Sequence, residues 1–273
     1  MTRTIPFTKM HGAGNDFVMV DGRRLAAPLS AAAVAAICHR RRGVGGDGLI
    51  VVAPPAPGEA VDFRMVYWNA DGGEAEMCGN GARCAVAFAA GLGLHGGNCR
   101  FATVSGVVEG RVHGPRDVEV RLPGWRDLAL DVAVAGSPWD EHHRCNTGVP
   151  HLVVVVGDVA AVDVAAWGPR LRGAEQFAPA GTNVNWISPA ESEGNAWRLR
   201  TYERGVEDET LACGTGASAA AVILCHLGRA ASPVTIQTRG GDRLRIGVDL
   251  KAGALSLRGP ATTSFEGDVT SDE

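Results

Sequence analysis

"CGNGARCAVAFAAG" (residues 78–91) decides the fold, because the chain repeats it. The stretch "CGTGASAAAVILCHLG" (213–228) starts 135 residues later with the same Cys-Gly-polar-Gly opening and the same Ala-rich continuation. The offset of 135 recurs at Tyr67 and Tyr202, at Thr103 and Thr238, and at Gly106 and Gly241. Upstream, "GGDGLIVV" (45–52) resembles "GTNVNWIS" (181–188), and "GNDFVMV" (14–20) resembles "GVPHLVV" (148–154), each within a gap of about one residue. Matches kept in one order along the chain indicate an internal duplication.

Each half then reads alike. Short β-rich runs ("FVMV", "LIVV", "FRMVYW") come first, with a helix predicted over 30–41 in the first half. A Gly-rich turn leads into the Cys-bearing helix, which is expected to stop at Gly91 in one copy and Gly228 in the other. Alternating strands follow: "VVEGRV" and "VEVRL", then "VTIQT", "RLRIGV" and "ALSLR". The expected class is α/β (α+β), with two pseudo-symmetric lobes, each a mixed or antiparallel sheet wrapped around a central helix. Pro123-Gly124 breaks the strand pattern and sets the boundary, giving lobes at 1–122 and 123–260, with 261–273 returning to the first. The cleft between such lobes is the expected place for a small-molecule site.

The bulk numbers narrow the function. With 273 residues and 45% hydrophobic content the chain can bury a sizeable core. A net charge of −4 gives no electrostatic footprint for nucleic acid or an anionic membrane. Arg40-Arg41-Arg42 reads as a cationic helix C-terminus. No apolar run approaches the roughly 18 residues of a membrane span, and "MTRTIPFTKMHG" lacks a signal-peptide core. Seven dispersed cysteines suit a reduced compartment better than a disulfide framework. These features predict a soluble, cytoplasmic protein.

Cys78 and Cys213 carry the chemistry. A helix start leaves N–H groups without intrahelical partners, and its dipole end is partly positive. A cysteine there has its thiolate favoured below the free value of about 8.5, and the glycines beside it let an anion approach bare backbone N–H groups. Two such starts related by pseudo-symmetry can flank one α-carbon from both faces. One thiolate removes the α-proton, the opposite thiol delivers another, and the amides stabilise charge developing on the carboxylate. That chemistry is racemisation or epimerisation of an amino acid without an organic cofactor. Free cysteines are more often small buried hydrophobes, and Cys38, Cys84, Cys99, Cys145 and Cys225 are assigned that role.

"MHGAGNDF", "NADGGEAEMCGNGARC", "GTNVNW" and "YERGVEDETLACGTGA" together resemble diaminopimelate epimerase, over Lys9 to about Phe265. The resemblance implies interconversion of LL- and meso-2,6-diaminopimelate, without pyridoxal phosphate or metal, in lysine and peptidoglycan biosynthesis, by a homodimer. It implies Cys78 and Cys213 as the acid/base pair. Gly79, Asn80, Gly214 and Thr215 correspond to positions holding the reacting carboxylate. Asn15, Asn69, Asn183 and Arg204 correspond to those gripping the distal amino-acid end, with Glu203 near the second thiol and the reacting amine. His151 corresponds to a histidine that adjusts the first thiol. Neutral amides suit a zwitterion, and arginine clamps a carboxylate bidentately. One departure stands out: where many members read Gly-Asn-Pro-His, "NTGVPH" (146–151) has Val149, and Asn146 is the neighbouring candidate to replace the missing amide.

Other readings weigh less. "GVGGDG" (43–48) satisfies the dinucleotide fingerprint in letters, but it precedes a strand where the mechanism needs a helix. "GTGASA" (214–219) lacks the acidic residue expected about 20 positions on. "HHRC" (142–145) lacks paired zinc spacing and is expected to be a solvated loop. Asp16 and Asp47 are assigned to turn capping. The alternative among enzymes is a related two-cysteine racemase or isomerase acting on another amino acid, of the histidine or hydroxyproline type.

Overall fold

The computed structural model describes residues 2–75, 78–190 and 195–272, so Glu76 and Met77 of the first Cys motif lie outside the described residues. The chain forms two compact units, 1–120 with 259–273, and 121–258.

The first unit runs β1 (Thr2–Gly12), β2 (Asn15–Asp21), α1 (Ala31–Cys38), β3 (Gly48–Ala53), β4 (Phe63–Asn69), α2 (Gly79–Gly91), β5 (Asn98–Thr103), β6 (Gly106–Gly114) and β7 (Asp117–Leu122). The second runs β8 (Arg126–Ala129), β9 (His142–Asn146), β10 (Pro150–Val155), α3 (Val164–Arg172), β11 (Asn183–Pro189), β12 (Ala196–Glu203), β13 (Asp208–Thr210), α4 (Gly214–His226), β14 (Val234–Gln237), β15 (Arg243–Asp249) and β16 (Ala254–Pro260). The chain then returns to the first unit as β17 (Thr262–Asp272), antiparallel to β1.

The duplication is visible as one pairing pattern used twice. In the first unit β1 is antiparallel to β2, β2 parallel to β3, β3 antiparallel to β4, β4 parallel to β5, and β5, β6 and β7 form an antiparallel meander. In the second, β9, β10, β11, β12, β14, β15 and β16 repeat those relations in the same order. A helix bridges each parallel step, as a crossover requires: α1 and α2 in one unit, α3 and α4 in the other.

In each unit the sheet wraps the Cys-bearing helix. Strands β1, β2, β3, β4 and β6 reach α2, while β9, β10, β11, β14 and β15 reach α4. Burial on all sides explains why "ASAAAVIL" shows no polar face. Small residues allow the close approach. A Cβ on Gly81 would stand 2.9 Å from Ile50 Cδ1 and 3.3 Å from Phe17 Cζ, so glycine is what lets the first turn of α2 lie on the core.

One local expectation changes. The first helix ends at Cys38 rather than residue 41, because the His39 ring Nδ1 accepts the N–H groups of Arg41 and Arg42 and turns the chain. Helix α2 ends at Gly91 as expected, and the left-handed glycine that follows is Gly93 (φ 71°), which lies 135 residues before Gly228 (φ 67°).

Candidate active site

Cys78 is the N-cap of α2, with extended φ −108° and ψ 123°. Its carbonyl accepts the Ala82 N–H at 2.7 Å, so the helix begins at once and the N–H groups of Gly79, Asn80 and Gly81 fall in its first turn. The half-buried thiol donates to Asn15 Oδ1 at 3.5 Å, and Asn80 Nδ2 donates to the same oxygen at 3.4 Å. Arg83, wholly buried in the helix, donates to Asn80 Oδ1 at 3.0 Å and to the carbonyls of Gly79 and Pro260.

An ionic cluster sets the Asn15 amide. Asn15 Nδ2 donates to Asp47 Oδ2 at 2.7 Å, which forces its carbonyl oxygen toward the thiol. Asp47 also pairs with Arg40 at 2.8 Å, and Arg40 pairs with Asp16 at 2.7 Å. Asp16 in turn takes Lys9 Nζ at 2.7 Å, and Lys9 hydrogen-bonds the Gly45 carbonyl. Burial alone would raise the Asp16 carboxyl, but hydrogen bonds from Arg40 and Lys9 outweigh it and hold it well below the usual carboxylate range. Asp16 and Asp47 therefore orient a predicted ligand-binding amide rather than only capping a turn. Arg40 belongs to this cluster and not to a helix terminus. Asn69, at the end of β4, accepts the Tyr67 hydroxyl at 3.2 Å, and the next residue, Ala70, donates its N–H to the Asp47 carbonyl.

Asp47→Asn is expected to lower kcat/KM about tenfold by releasing the Asn15 amide. Because Asp47 and Arg40 are each about half exposed, stability should move by no more than about 1 kcal/mol. Paired kinetics and urea unfolding check both; an unchanged kcat/KM would remove Asp47 from the site.

The second unit holds Cys213 differently. It too is an N-cap, at φ −116° and ψ 108° on α4, but it is only 6% exposed and its sulfur accepts the Gly216 N–H at 3.4 Å. Thr215 Oγ1 is 3.5 Å from the same sulfur, and Thr147 Oγ1 holds the Thr215 carbonyl at 2.8 Å. One thiol thus meets a carbonyl acceptor and the other a backbone donor.

Elsewhere in the second unit Asn183 ties two segments together: Nδ2 donates to the Pro150 carbonyl at 3.0 Å and Oδ1 accepts the Arg204 N–H at 2.9 Å. The Arg204 guanidinium reaches the Ala180 carbonyl at 3.4 Å. Glu203 accepts the Thr210 hydroxyl at 2.5 Å. His151 is buried, and burial followed by the Arg204 charge pushes its pKa down to about 3. Asn146 Oδ1 accepts the Gly148 N–H at 3.1 Å, so its carbonyl caps the local turn beside Val149.

The remaining cysteines behave as the sequence suggests. Burial pushes Cys38 up to about 11 and Cys84, Cys99 and Cys145 up to about 12, and raises Cys225 as well. "HHRC" is a correction: it is strand, not solvated loop, with His142 and His143 buried against Ser137 and Glu141. Among the described residues no group of three or more His, Cys, Asp or Glu side chains is arranged to hold a metal.

Sequence reasoning missed Asn185 and Thr201, which pack behind the Cys213 turn. A signal existed. Asn183 and Asn185 alternate on one face of a strand whose residues 183–188 are all buried, and a buried amide needs partners.

A family profile described as "Diaminopimelate epimerase" matches residues 7–122 and 144–263. Diaminopimelate epimerase of Gemmatimonas aurantiaca is 39% identical over 279 residues, covering 96% of this chain and 98% of that protein. The Aquifex aeolicus enzyme of the same name is 40% identical, covering 97% and 98%. Among solved structures, a phenazine biosynthesis protein of the PhzF family from Bacillus anthracis superposes with a TM-score of 0.74 at 14% identity, covering 98% of this chain and 99% of that one. A hydroxyproline epimerase from Agrobacterium vitis superposes with a TM-score of 0.72 at 16% identity, covering 99% and 94%. These last two share the fold.

Proposed function

Since the chain belongs to the diaminopimelate epimerase family, we propose that it interconverts LL- and meso-2,6-diaminopimelate, with Cys78 and Cys213 as the two proton-transfer groups. The observation that carries this reading is the pair of cysteine N-caps, one on each duplicated helix. In the reaction one thiolate takes the α-proton, and the C–H electron pair moves into the carboxylate. The other thiol then gives its proton to the opposite face of the carbanion, leaving a thiolate there. N–H groups of Gly79, Asn80, Gly214 and Thr215 receive the carboxylate as its charge grows.

Asn15, Asn69, Asn183 and Arg204 grip the distal amino-acid end, with Glu203 at the reacting amine and His151 adjusting the first thiol. Val149 stands where many family members carry a substrate-contacting Asn, and Val149→Asn should leave activity equal or better; a sharp loss would mean that this wall of the pocket is built differently. No organic cofactor or metal enters the reaction. The reading extends to a homodimer working in the cytoplasm; among the described residues, no helix is long and apolar enough to cross a membrane.

Incubation with LL-diaminopimelate in D₂O tests the assignment: meso product carrying one α-deuterium supports it, and preferred turnover of histidine or hydroxyproline overturns it. Thiol labelling tests the site. Iodoacetamide at about pH 7 should modify Cys78 and Cys213 before the five cysteines whose burial disfavours the thiolate. Diaminopimelate should slow both modifications. Peptide mapping that finds another cysteine labelled first would remove the pair's special status.

A further inference from the structure

Asn185 lies outside the residues implied by the family resemblance, yet its amide is fully buried and engaged at both ends. Oδ1 accepts the Thr201 hydroxyl at 2.9 Å. Nδ2 donates to the Leu152 carbonyl at 3.0 Å and stands 3.1 Å from His151 Nδ1. The Leu152 carbonyl can only accept, so the atom facing it must be the NH₂ group. That same NH₂ group faces His151 Nδ1, which must therefore present its lone pair. The single proton of the neutral ring then belongs on Nε2.

His151 Nε2 is buried and has no hydrogen-bond partner among the described residues. A buried donor left unpaired is costly and calls for an explanation, and an acceptor on a bound ligand would supply one. The amide also touches the second thiol's turn. A Cβ on Gly216 would lie 2.2 Å from Asn185 Oδ1 and 3.3 Å from Cys213 Sγ, so Asn185 packs directly beneath the helix start that carries the cysteine.

We propose that Asn185 is a positioning residue that holds His151 as the Nε2–H tautomer, keeping that N–H as a donor for an acceptor brought by the bound amino acid. This rests on the epimerase reading for its ligand, but not for the tautomer. Long-range ¹H–¹⁵N correlation of the imidazoles separates the two. In the wild-type protein His151 should show a protonated Nε2 and a bare Nδ1 from about pH 5.5 to about pH 8. An equilibrium mixture of LL- and meso-diaminopimelate should shift the Nε2–H resonance.

Asn185→Ala should yield a mixture of tautomers and reduce kcat/KM by roughly tenfold or more. A wild-type His151 protonated on Nδ1 overturns the proposal, whether or not the alanine variant folds. So does an alanine variant with a pure Nε2–H ring and unchanged turnover. A correct tautomer with no shift and no epimerisation of diaminopimelate would instead leave the role of Asn185 standing and defeat the substrate assignment.

Discussion

Replacing either Cys78 or Cys213 with alanine should lower epimerisation by about 10²–10⁴-fold or more, the scale of a lost general acid or base. Inversion needs a group on each face, so neither thiol can serve for both. Deuterium supplies the sharper test. A thiol carries one proton, so an abstracted α-proton returns to the face it left, while the opposite face receives a proton from solvent-exchanged sulfur. Early in the wild-type reaction, product should therefore carry deuterium and recovered substrate should not. Product that keeps the original hydrogen would indicate a single shuttling base. Near-normal turnover in either alanine variant would end the two-thiol mechanism. The alanine variants should fold, because Cys78 is half-buried and the sulfur of Cys213 makes long contacts to Gly216 N–H and Thr215 Oγ1, at 3.4 and 3.5 Å.

Gly216→Ala should damage the Cys213 turn through a single added methyl group. The new Cβ would stand 2.2 Å from Asn185 Oδ1, and that amide cannot retreat while Thr201, Leu152 and His151 hold it. Overpacking of this kind costs about 1–3 kcal/mol. Activity should fall further than stability, by roughly a hundredfold, because the displaced turn carries Cys213. Gly91→Ala is the control. Gly91 ends α2 with nothing within 4 Å of its Cβ position, so alanine there should stabilise the protein by about 0.5 kcal/mol. Urea unfolding and turnover of both variants check the pair. A Gly216→Ala protein with wild-type turnover would show that the Asn185 contact does not constrain the Cys213 turn.

By itself the sequence determined the duplication, the Cys-bearing helix of each half with strands before and after it, and the placing of Cys78 and Cys213 at helix starts. Those features are written in local, ordered signals. A Gly-polar-Gly turn before an Ala-rich run marks an N-terminus wherever it occurs, and a constant offset of 135 survives in chain order. Tertiary structure alone decided how the polar side chains around those thiols are used. Arg40 joins Asp16 and Asp47 from 24 and 7 residues away, and Asn185 meets His151 from 34. Such partners are chosen by strand register and by where the chain turns back, and neither leaves a mark in composition or spacing. "HHRC" shows the limit most plainly. Its polar letters suggest solvent, but pairing with β10 draws both histidines inside, where Ser137 and Glu141 satisfy them. A polar residue's burial follows from whether the fold supplies it a partner, and that partner sits elsewhere in the chain.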